Sequence, residues 1–322
     1  MAGKNRSSTS TTPIADESGL SGRRMAHNSP AKNCMPFPLY VFSYDQGLTQ
    51  ICSDYRSCMF SAFRGQLQIL TTEQTGEFIG TFMFLGMAYM AVQAVVNAYT
   101  AEQSISKLLY IAFAFAVSLT VNVWLFYRVS GGLFNPSLTL AFVLLRLMPP
   151  MKGALLIAAQ LLGGIAAAGV AQAITPGTLN VETTLGTGVS TAQGFFIEAI
   201  LTAELCMAVL MIAVEKHRAT FMAPLVIGCA LGIGHLVGIS FTGASMNPAR
   251  SFGPAVVSAN FEKSHWIYWI APSLGAAAAA GIYKLLLVVD YTTSNPGQDS
   301  DGSDIESRGT VFIDETAGEG RA

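Results

Sequence analysis

The sequence predicts an all-α membrane protein with six transmembrane helices plus two re-entrant half-helices, built as an inverted repeat. Of the 322 residues, 51% are hydrophobic and only 12% are charged, whereas a soluble domain carries roughly 25% charged residues. Six apolar segments reach the roughly 20 residues that a bilayer-spanning helix needs. Two further apolar segments, 136–146 and 248–258, have only 11 residues each. At about 1.5 Å per residue they cross half of the hydrocarbon layer.

The membrane domain is predicted at 71–290, between two tails. The full-length helices are predicted at 76–99, 107–128, 152–174, 191–214, 221–241 and 265–289. Residues 1–70 begin with a stretch rich in Ser, Thr, Pro and Asn and are expected to form a cytoplasmic N-terminal tail. Residues 291–322 are acidic and rich in Gly and Ser, so we expect a disordered cytoplasmic C-terminal tail.

Orientation follows from Lys and Arg near the helix ends, which concentrate on the cytoplasmic side. With the N-terminus inside, the outer flanks carry Lys107 and Lys263. The inner flanks then carry Arg56, Arg64, Arg128, Arg146, Lys152, Lys216, Arg218 and Lys284. The sequence therefore predicts a multi-pass protein with both termini in the cytoplasm, and a plasma membrane location is expected.

The membrane domain contains two related halves, at about 76–150 and 191–262. Each half runs helix, helix, loop, Asn-Pro and half-helix, and Glu77 and Glu198 occupy matching places near the two starts. Three spans per half place the repeats in opposite orientations, so the half-helices are expected to enter from opposite faces and meet near the midplane. The middle of each span lacks Lys and Arg. Backbone amides of the re-entrant loops are thus expected to bind the two carboxylates, with a proton relay or a lysine pair as the alternative.

The half-helices begin at two Asn-Pro motifs, where Asn is a preferred N-cap and Pro suits the first helical position. The motifs are Asn135-Pro136-Ser137 and Asn247-Pro248-Ala249, the second followed by Arg250. Irregular backbone at membrane depth is tolerated where it is buried or lines a wet cavity. Loop carbonyls are therefore expected to line a pore; they belong to Gly131, Gly132, Leu133, Gly243 and Ser245. A guanidinium at this depth must face water or a partner, which makes Arg250 a pore residue.

These motifs resemble the two NPA boxes of the aquaporin (major intrinsic protein) family, and the resemblance covers about 76–290. The segments GTFMFLGMAY, TPGTL, LMIAVEK and HWIYWIAP are most like those of fungal orthodox water channels. The resemblance implies a homotetramer in the lipid bilayer with one pore per subunit and water as the permeant. It implies no cofactor, metal or catalytic residue, and it supports a loop-bracing role for Glu77 and Glu198. Ser137 stands where the family usually has Ala, a change expected to affect packing more than conduction.

Motif spacing within the family implies a selectivity filter of Phe115, His235, Ala244 and Arg250, which resembles the water-specific set. Glycerol-conducting relatives replace the His with a small residue and usually have Asp where this chain has Ser251. We therefore expect a passive water channel that excludes glycerol, ions and protons; the alternative is an aquaglyceroporin or other small neutral solute channel. An intramembrane enzyme would need a catalytic cluster, yet His235 is the sole His of the predicted spans apart from His265, the first residue of the sixth. The formal net charge of −2 favours no nucleic-acid partner.

Residues 35–70 of the N-terminal tail are too aromatic for a solvated linker. Tyr40 and Tyr44 are candidate gate residues, since a tyrosine is narrow enough to enter a water pore. Packing on the cytoplasmic face and anchoring at the lipid interface are the alternatives for this stretch.

Overall fold

The computed structural model describes residues 47–98 and 105–295, without the side chains of 47–67, 69 and 70. This part of the chain is helical and contains no strand. The helices are α1 (Gly47–Ala98), α2 (Ile105–Phe126), α3 (Pro136–Leu144), α4 (Pro150–Ile174), α5 (Thr191–Val209), α6 (Ala223–Thr242), α7 (Pro248–Val257) and α8 (Ile267–Val288). A π-helical turn, Leu210–Val214, extends α5, and 3₁₀ turns lie at Thr220–Met222 and Tyr291–Thr293.

Six helical segments are long and apolar enough to cross a membrane, which confirms the predicted fold class. They are Thr71–Ala98, Ile105–Phe126, Pro150–Ile174, Thr191–Val214, Thr220–Thr242 and Ile267–Val288. The short helices α3 and α7, of 9 and 10 residues, are the two predicted half-helices. We call the face at which the first span begins, at Thr71, the N-terminal face, and the other the distal face.

The first helix starts much earlier than predicted. It begins at Gly47, although residues 1–70 were expected to form a tail. No proline lies between Pro38 and Pro136, so nothing breaks the helix before the span. The chain divides into two compact units, residues 1–67 and 68–322, and everything below belongs to the second. Tyr40, Tyr44 and most of the C-terminal tail lie outside the described residues.

Close helix contacts depend on glycine where α4 meets α7. A Cβ on Gly164 would lie 2.6 Å from the carbonyl oxygen of Ala249, and a Cβ on Gly253 would meet the carbonyl of Gly164. Real side chains do not approach backbone this closely, so the two helices can touch only while both positions lack a side chain. The contact holds half-helix α7 against the full-length helix α4.

Candidate pore and selectivity filter

The two half-helices begin back to back at the centre of the bundle. Asn135 and Asn247 are their N-caps, and each side-chain Oδ1 accepts from the backbone amide two residues on, at 2.9 Å. Each Nδ2 crosses to the other repeat: that of Asn135 donates to Met246 O and that of Asn247 to Phe134 O, both at 2.8 Å. A carboxamide has two N–H donors, so each Asn keeps one for another partner.

The re-entrant loops that lead into the caps share one backbone conformation. Positive φ angles recur at matching positions of the two repeats: Gly131 +95° and Gly243 +76°, Gly132 +67° and Ala244 +52°, Phe134 +49° and Met246 +52°. Non-glycine residues in this region carry a strain of roughly 1–3 kcal/mol each. Both loops must therefore be held in place by their surroundings.

Glu77 holds the first loop. Its carboxylate accepts from the amides of Leu133 at 3.0 Å and Phe134 at 2.7 Å. The hydroxyl of Ser130 donates to it at 2.7 Å and the Gln160 carboxamide at 2.8 Å. The side chain is fully buried, and these four donors replace the water that it loses.

Glu198 holds the second loop in the same way. It accepts from the amides of Ser245 at 2.9 Å and Met246 at 2.7 Å, and from the hydroxyl of Thr242 at 2.5 Å. Both glutamates thus bind the two amides that immediately precede an Asn cap. These are the hydrogen bonds that a loop-bracing role requires.

Three of the four predicted filter residues meet around one point. The rings of Phe115 and His235 stack with centroids 4.0 Å apart, and Arg250 Cζ lies 5.2 Å from the Phe115 centroid. His235 Nδ1 lies 2.9 Å from Leu231 O. A carbonyl only accepts, so Nδ1 carries the proton and, in the neutral ring, Nε2 is an acceptor. Ala244 is buried nearby, against Gly238.

Arg250 is held on several sides. Its Nη1 donates to Val181 O at 2.5 Å, and Nη2 lies 3.5 Å from Gly243 O. The Tyr89 hydroxyl donates to the Arg250 carbonyl at 2.7 Å. Arg250 Nε and His235 Nε2 are buried without a hydrogen-bond partner among the described residues. The predicted filter residues thus include one donor and one acceptor without a hydrogen-bond partner in the described part of the chain.

A cavity of about 470 Å³ connects these features. It extends from Tyr127, Lys152 and Lys216 at the N-terminal face, past Asn135 and Asn247, to His235. Phe115 and Arg250 line it as well, as do the predicted carbonyl positions Gly131, Gly132, Leu133 and Ser245. The arrangement is a polar path with apolar walls.

Other predicted pore residues lie behind this surface. Pro136, Ser137, Pro248 and Ala249 are buried in the first turns of the half-helices rather than lining the cavity. Gly243, expected to present a pore carbonyl, is also absent from the lining, and its oxygen faces the guanidinium of Arg250 instead. The Ser137 hydroxyl has no hydrogen-bond partner in the described part of the chain.

Comparison with known proteins gives the family. Residues 67–283 match the sequence model described as MIP, major intrinsic protein, which is more than half of the chain. The chain belongs to the major intrinsic protein family. This family consists of channels.

Fungal members of the major intrinsic protein family are close in sequence. Aquaporin-5 of Botryotinia fuckeliana is 52% identical over 235 residues, 70% of this chain and 44% of the relative. Aquaporin-1 of Gibberella zeae is 48% identical over 234 residues, 71% of this chain and 73% of the relative. The chain spans about half the length of the first Botryotinia relatives, 44% and 51%.

A solved structure shares the fold of this family member. The X-ray structure of the aquaglyceroporin from Plasmodium falciparum superposes with a TM-score of 0.61 and covers 69% of this chain and 99% of its own. Its sequence identity is 21%, so the likeness concerns the fold alone.

Several residues of this major intrinsic protein were missed in the sequence. Tyr89, Gln93 and Asn97 recur every four residues in an apolar helix, and that spacing was a usable signal of a polar helix face. Val181 contributes only its carbonyl oxygen, which no side-chain pattern reveals. Glu204, a carboxyl group within the fourth span, was overlooked although an ionisable residue in a span is a functional signal by default.

Proposed function

We propose that the chain is a passive water channel that excludes glycerol, ions and protons and conducts water in single file. The observation that carries this proposal is the stack of Phe115 on His235 opposite Arg250 in one cavity. The two rings and the guanidinium meet at one point of the cavity, and we infer that they leave no room there for a solute with a carbon chain. A water molecule is the smallest species that can both donate to His235 Nε2 and accept from Arg250 Nε.

Charge and geometry support the exclusion of ions and protons. The N-termini of α3 and α7 meet at the centre, and each is equivalent to about half a positive charge. Together with Arg250 they repel cations and hydronium. The free N–H groups of Asn135 and Asn247 bind the oxygen of a central water, whose hydrogens then point outward in both directions. A file of waters oriented in this way cannot pass a proton along.

The test is osmotic flux through the purified protein in liposomes. Stopped-flow light scattering with a sucrose gradient measures water permeability, and a glycerol gradient measures solute entry. Water permeability well above that of empty liposomes, with glycerol entry at background, supports the proposal. Glycerol entry that rises together with water flow would instead identify an aquaglyceroporin.

We further propose a homotetramer, one pore per subunit, in the plasma membrane. Glu204 supports an assembly, because it is exposed on α5 and has no hydrogen-bond partner among the described residues. It lies 13 residues after Thr191 and 10 before Val214, near the middle of its span. A carboxyl group facing hydrocarbon there is costly, whereas a neighbouring subunit could offer a hydrogen-bond partner.

The proposed topology places both termini in the cytoplasm. The turns at the N-terminal face carry Arg128, Arg146, Lys152, Lys216 and Arg218. Cytoplasmic loops are enriched in such residues. Alkaline quenching of a fluorophore attached at either terminus, in cells with intact membranes, tests this orientation.

A further inference from the structure

Three polar side chains form a stripe along α1 behind the filter: Tyr89, Gln93 and Asn97, which we call the α1 stripe. Their four-residue spacing places them on one helix face. Tyr89 and Gln93 are 0% and 1% exposed. Buried polar groups in an apolar span cost free energy unless they are hydrogen-bonded, so their partners indicate what the stripe does.

Gln93 and Asn97 bind the backbone of the loop between α4 and α5. Gln93 Nε2 donates to Thr178 O at 2.8 Å, and its Oε1 accepts from the amide of Asn180 at 3.0 Å. Asn97 Nδ2 donates to Pro176 O at 2.8 Å. The carboxamide of Gln93 thus uses both its donor and its acceptor on the loop between α4 and α5. These hydrogen bonds fix the position and the orientation of the loop relative to α1.

The loop residue that follows these hydrogen bonds contacts the predicted filter. Asn180 precedes Val181, whose carbonyl oxygen accepts from Arg250 Nη1 at 2.5 Å. Val181 is only 2% exposed, so its carbonyl is aimed inward. Because the Asn180 amide is pinned by Gln93, the Val181 carbonyl one residue later has little freedom to move away from the guanidinium.

Tyr89 contacts both the main chain and the guanidinium of Arg250. Its hydroxyl donates to the Arg250 carbonyl at 2.7 Å, and its ring centroid lies 5.6 Å from Arg250 Cζ. The guanidinium is thereby placed between the rings of Tyr89 and Phe115. One face of α1 therefore contacts the main chain of Arg250 and holds the loop that binds its guanidinium.

We propose that the α1 stripe positions Arg250, and that Gln93 in particular determines how strictly the filter excludes protons and cations. Gln93 acts through the loop and Val181, so it is a positioning residue. Without it the Val181 carbonyl is free to turn away, and the guanidinium loses a fixed acceptor and leaves the constriction part of the time. The inference rests on the proposed function, because it requires Arg250 to form part of the barrier to protons and cations.

The test compares Gln93→Leu with Thr81→Val in proteoliposomes. Thr81 lies on the same helix, is 0% exposed, and its hydroxyl has no partner among the described residues, so the valine variant is a matched control. The readout is the ratio of proton to water permeability, from a pH-sensitive dye and from light scattering. Gln93→Leu loses the hydrogen bonds to Thr178 O and Asn180 N, so the freed loop no longer holds Val181 O against the guanidinium. Loss of that hydrogen bond to a charged group is expected to raise the ratio about tenfold. The ratio should stay at the wild-type value in Thr81→Val.

A merely structural role for Gln93 gives a different result. Fewer folded channels would lower water and proton flux by the same factor, leave the ratio unchanged and overturn the proposal. Tyr89→Phe removes only the hydroxyl and keeps the ring, so it tests the same idea if Gln93→Leu does not fold; it should raise the ratio too. Glycerol entry through the wild-type channel would refute the water-selective function, while the change in ratio between variants would still decide the role of the stripe.

Discussion

Arg250 carries a full positive charge at a depth where the bilayer offers nothing to solvate it. The protein supplies Val181 O, two aromatic faces and the carboxylate-held loop beside it. Its Nε remains unpaired among the described residues, as does His235 Nε2 across the cavity. Buried polar atoms in native proteins nearly always have partners. Arg250 Nε and His235 Nε2 are exceptions to this rule among the described residues.

Removing both rings of the filter should change what passes. The double variant His235→Gly with Phe115→Ala deletes the stacked pair while Arg250 and Asn247 remain to bind hydroxyl groups. We expect glycerol or urea to enter proteoliposomes above background in the swelling assay. Phe142→Ala is the matched control, because Phe142 lines the same cavity away from the filter. A folded double variant that still passes only water would place the size barrier elsewhere.

Replacing the charge itself should weaken ion exclusion. In Arg250→Val the fixed cation is gone from a narrow site of low dielectric, where such a charge contributes a barrier of several kcal/mol, roughly. A proton or cation leak is expected, measured with the pH-sensitive dye under a clamped membrane potential. Arg128→Gln, at an exposed position on the N-terminal face, should show no leak. Equal leaks in both variants would argue against a filter role for Arg250.

Among the elements, α4 and α7 cross at a contact that leaves no room for a side chain at Gly164 or Gly253. Gly164→Ala would place a methyl group 2.6 Å from the Ala249 carbonyl oxygen, so α7 must shift. Overpacking of this kind costs about 1–3 kcal/mol, and we expect a lower unfolding temperature in detergent. Gly169→Ala is the control on the same helix, because a Cβ there meets nothing within 4 Å. Equal unfolding temperatures for the two variants would contradict the close crossing.

The sequence predicted some elements well for a definite reason. Hydrophobic length marks a span, so the prediction 191–214 coincides with Thr191–Val214 and 152–174 comes within two residues of Pro150–Ile174. The helical extension from Gly47 was missed, because hydrophobic length marks only the part of a helix that spans the membrane. Half-helix α3 ends at Leu144 rather than at 146, because Arg146 takes a positive φ of 60°.

The candidate site could be predicted from the sequence where side chains, rather than backbone atoms, make its contacts. Asn135, Asn247 and the two glutamates follow from the repeat and from Asn-Pro chemistry. The contact between Val181 and Arg250 does not, because any residue presents a carbonyl oxygen. The folded path of the loop between α4 and α5 decides which carbonyl reaches the guanidinium, and that path depends on contacts with Gln93 that lie more than eighty residues away in the chain.

At the scale of the whole molecule, the two repeats provide matching parts that only work together. Each Asn cap donates to the loop of the other repeat, so neither re-entrant loop is complete on its own. One matched pair of positive-φ positions sets a glycine against a residue with a side chain: Gly132 has φ +67°, whereas Ala244 adopts +52°. The strained alanine lies in the half that carries Arg250.

The surface of the whole molecule leads to the last prediction, which concerns Glu204. If a neighbouring subunit covers this carboxyl group, Glu204→Leu removes a hydrogen bond across the contact and should weaken assembly, whereas Glu204→Gln keeps a polar side chain and should preserve it. If lipid covers it, Glu204→Leu removes the free-energy cost of a carboxyl group in hydrocarbon, and assembly should not weaken. Light scattering after size-exclusion chromatography at increasing detergent concentration measures the oligomer. Ile200→Leu, one turn earlier on the same exposed face of α5, controls for altered packing. An oligomer of Glu204→Leu as resistant to detergent as that of the control would show that Glu204 does not lie in the subunit contact.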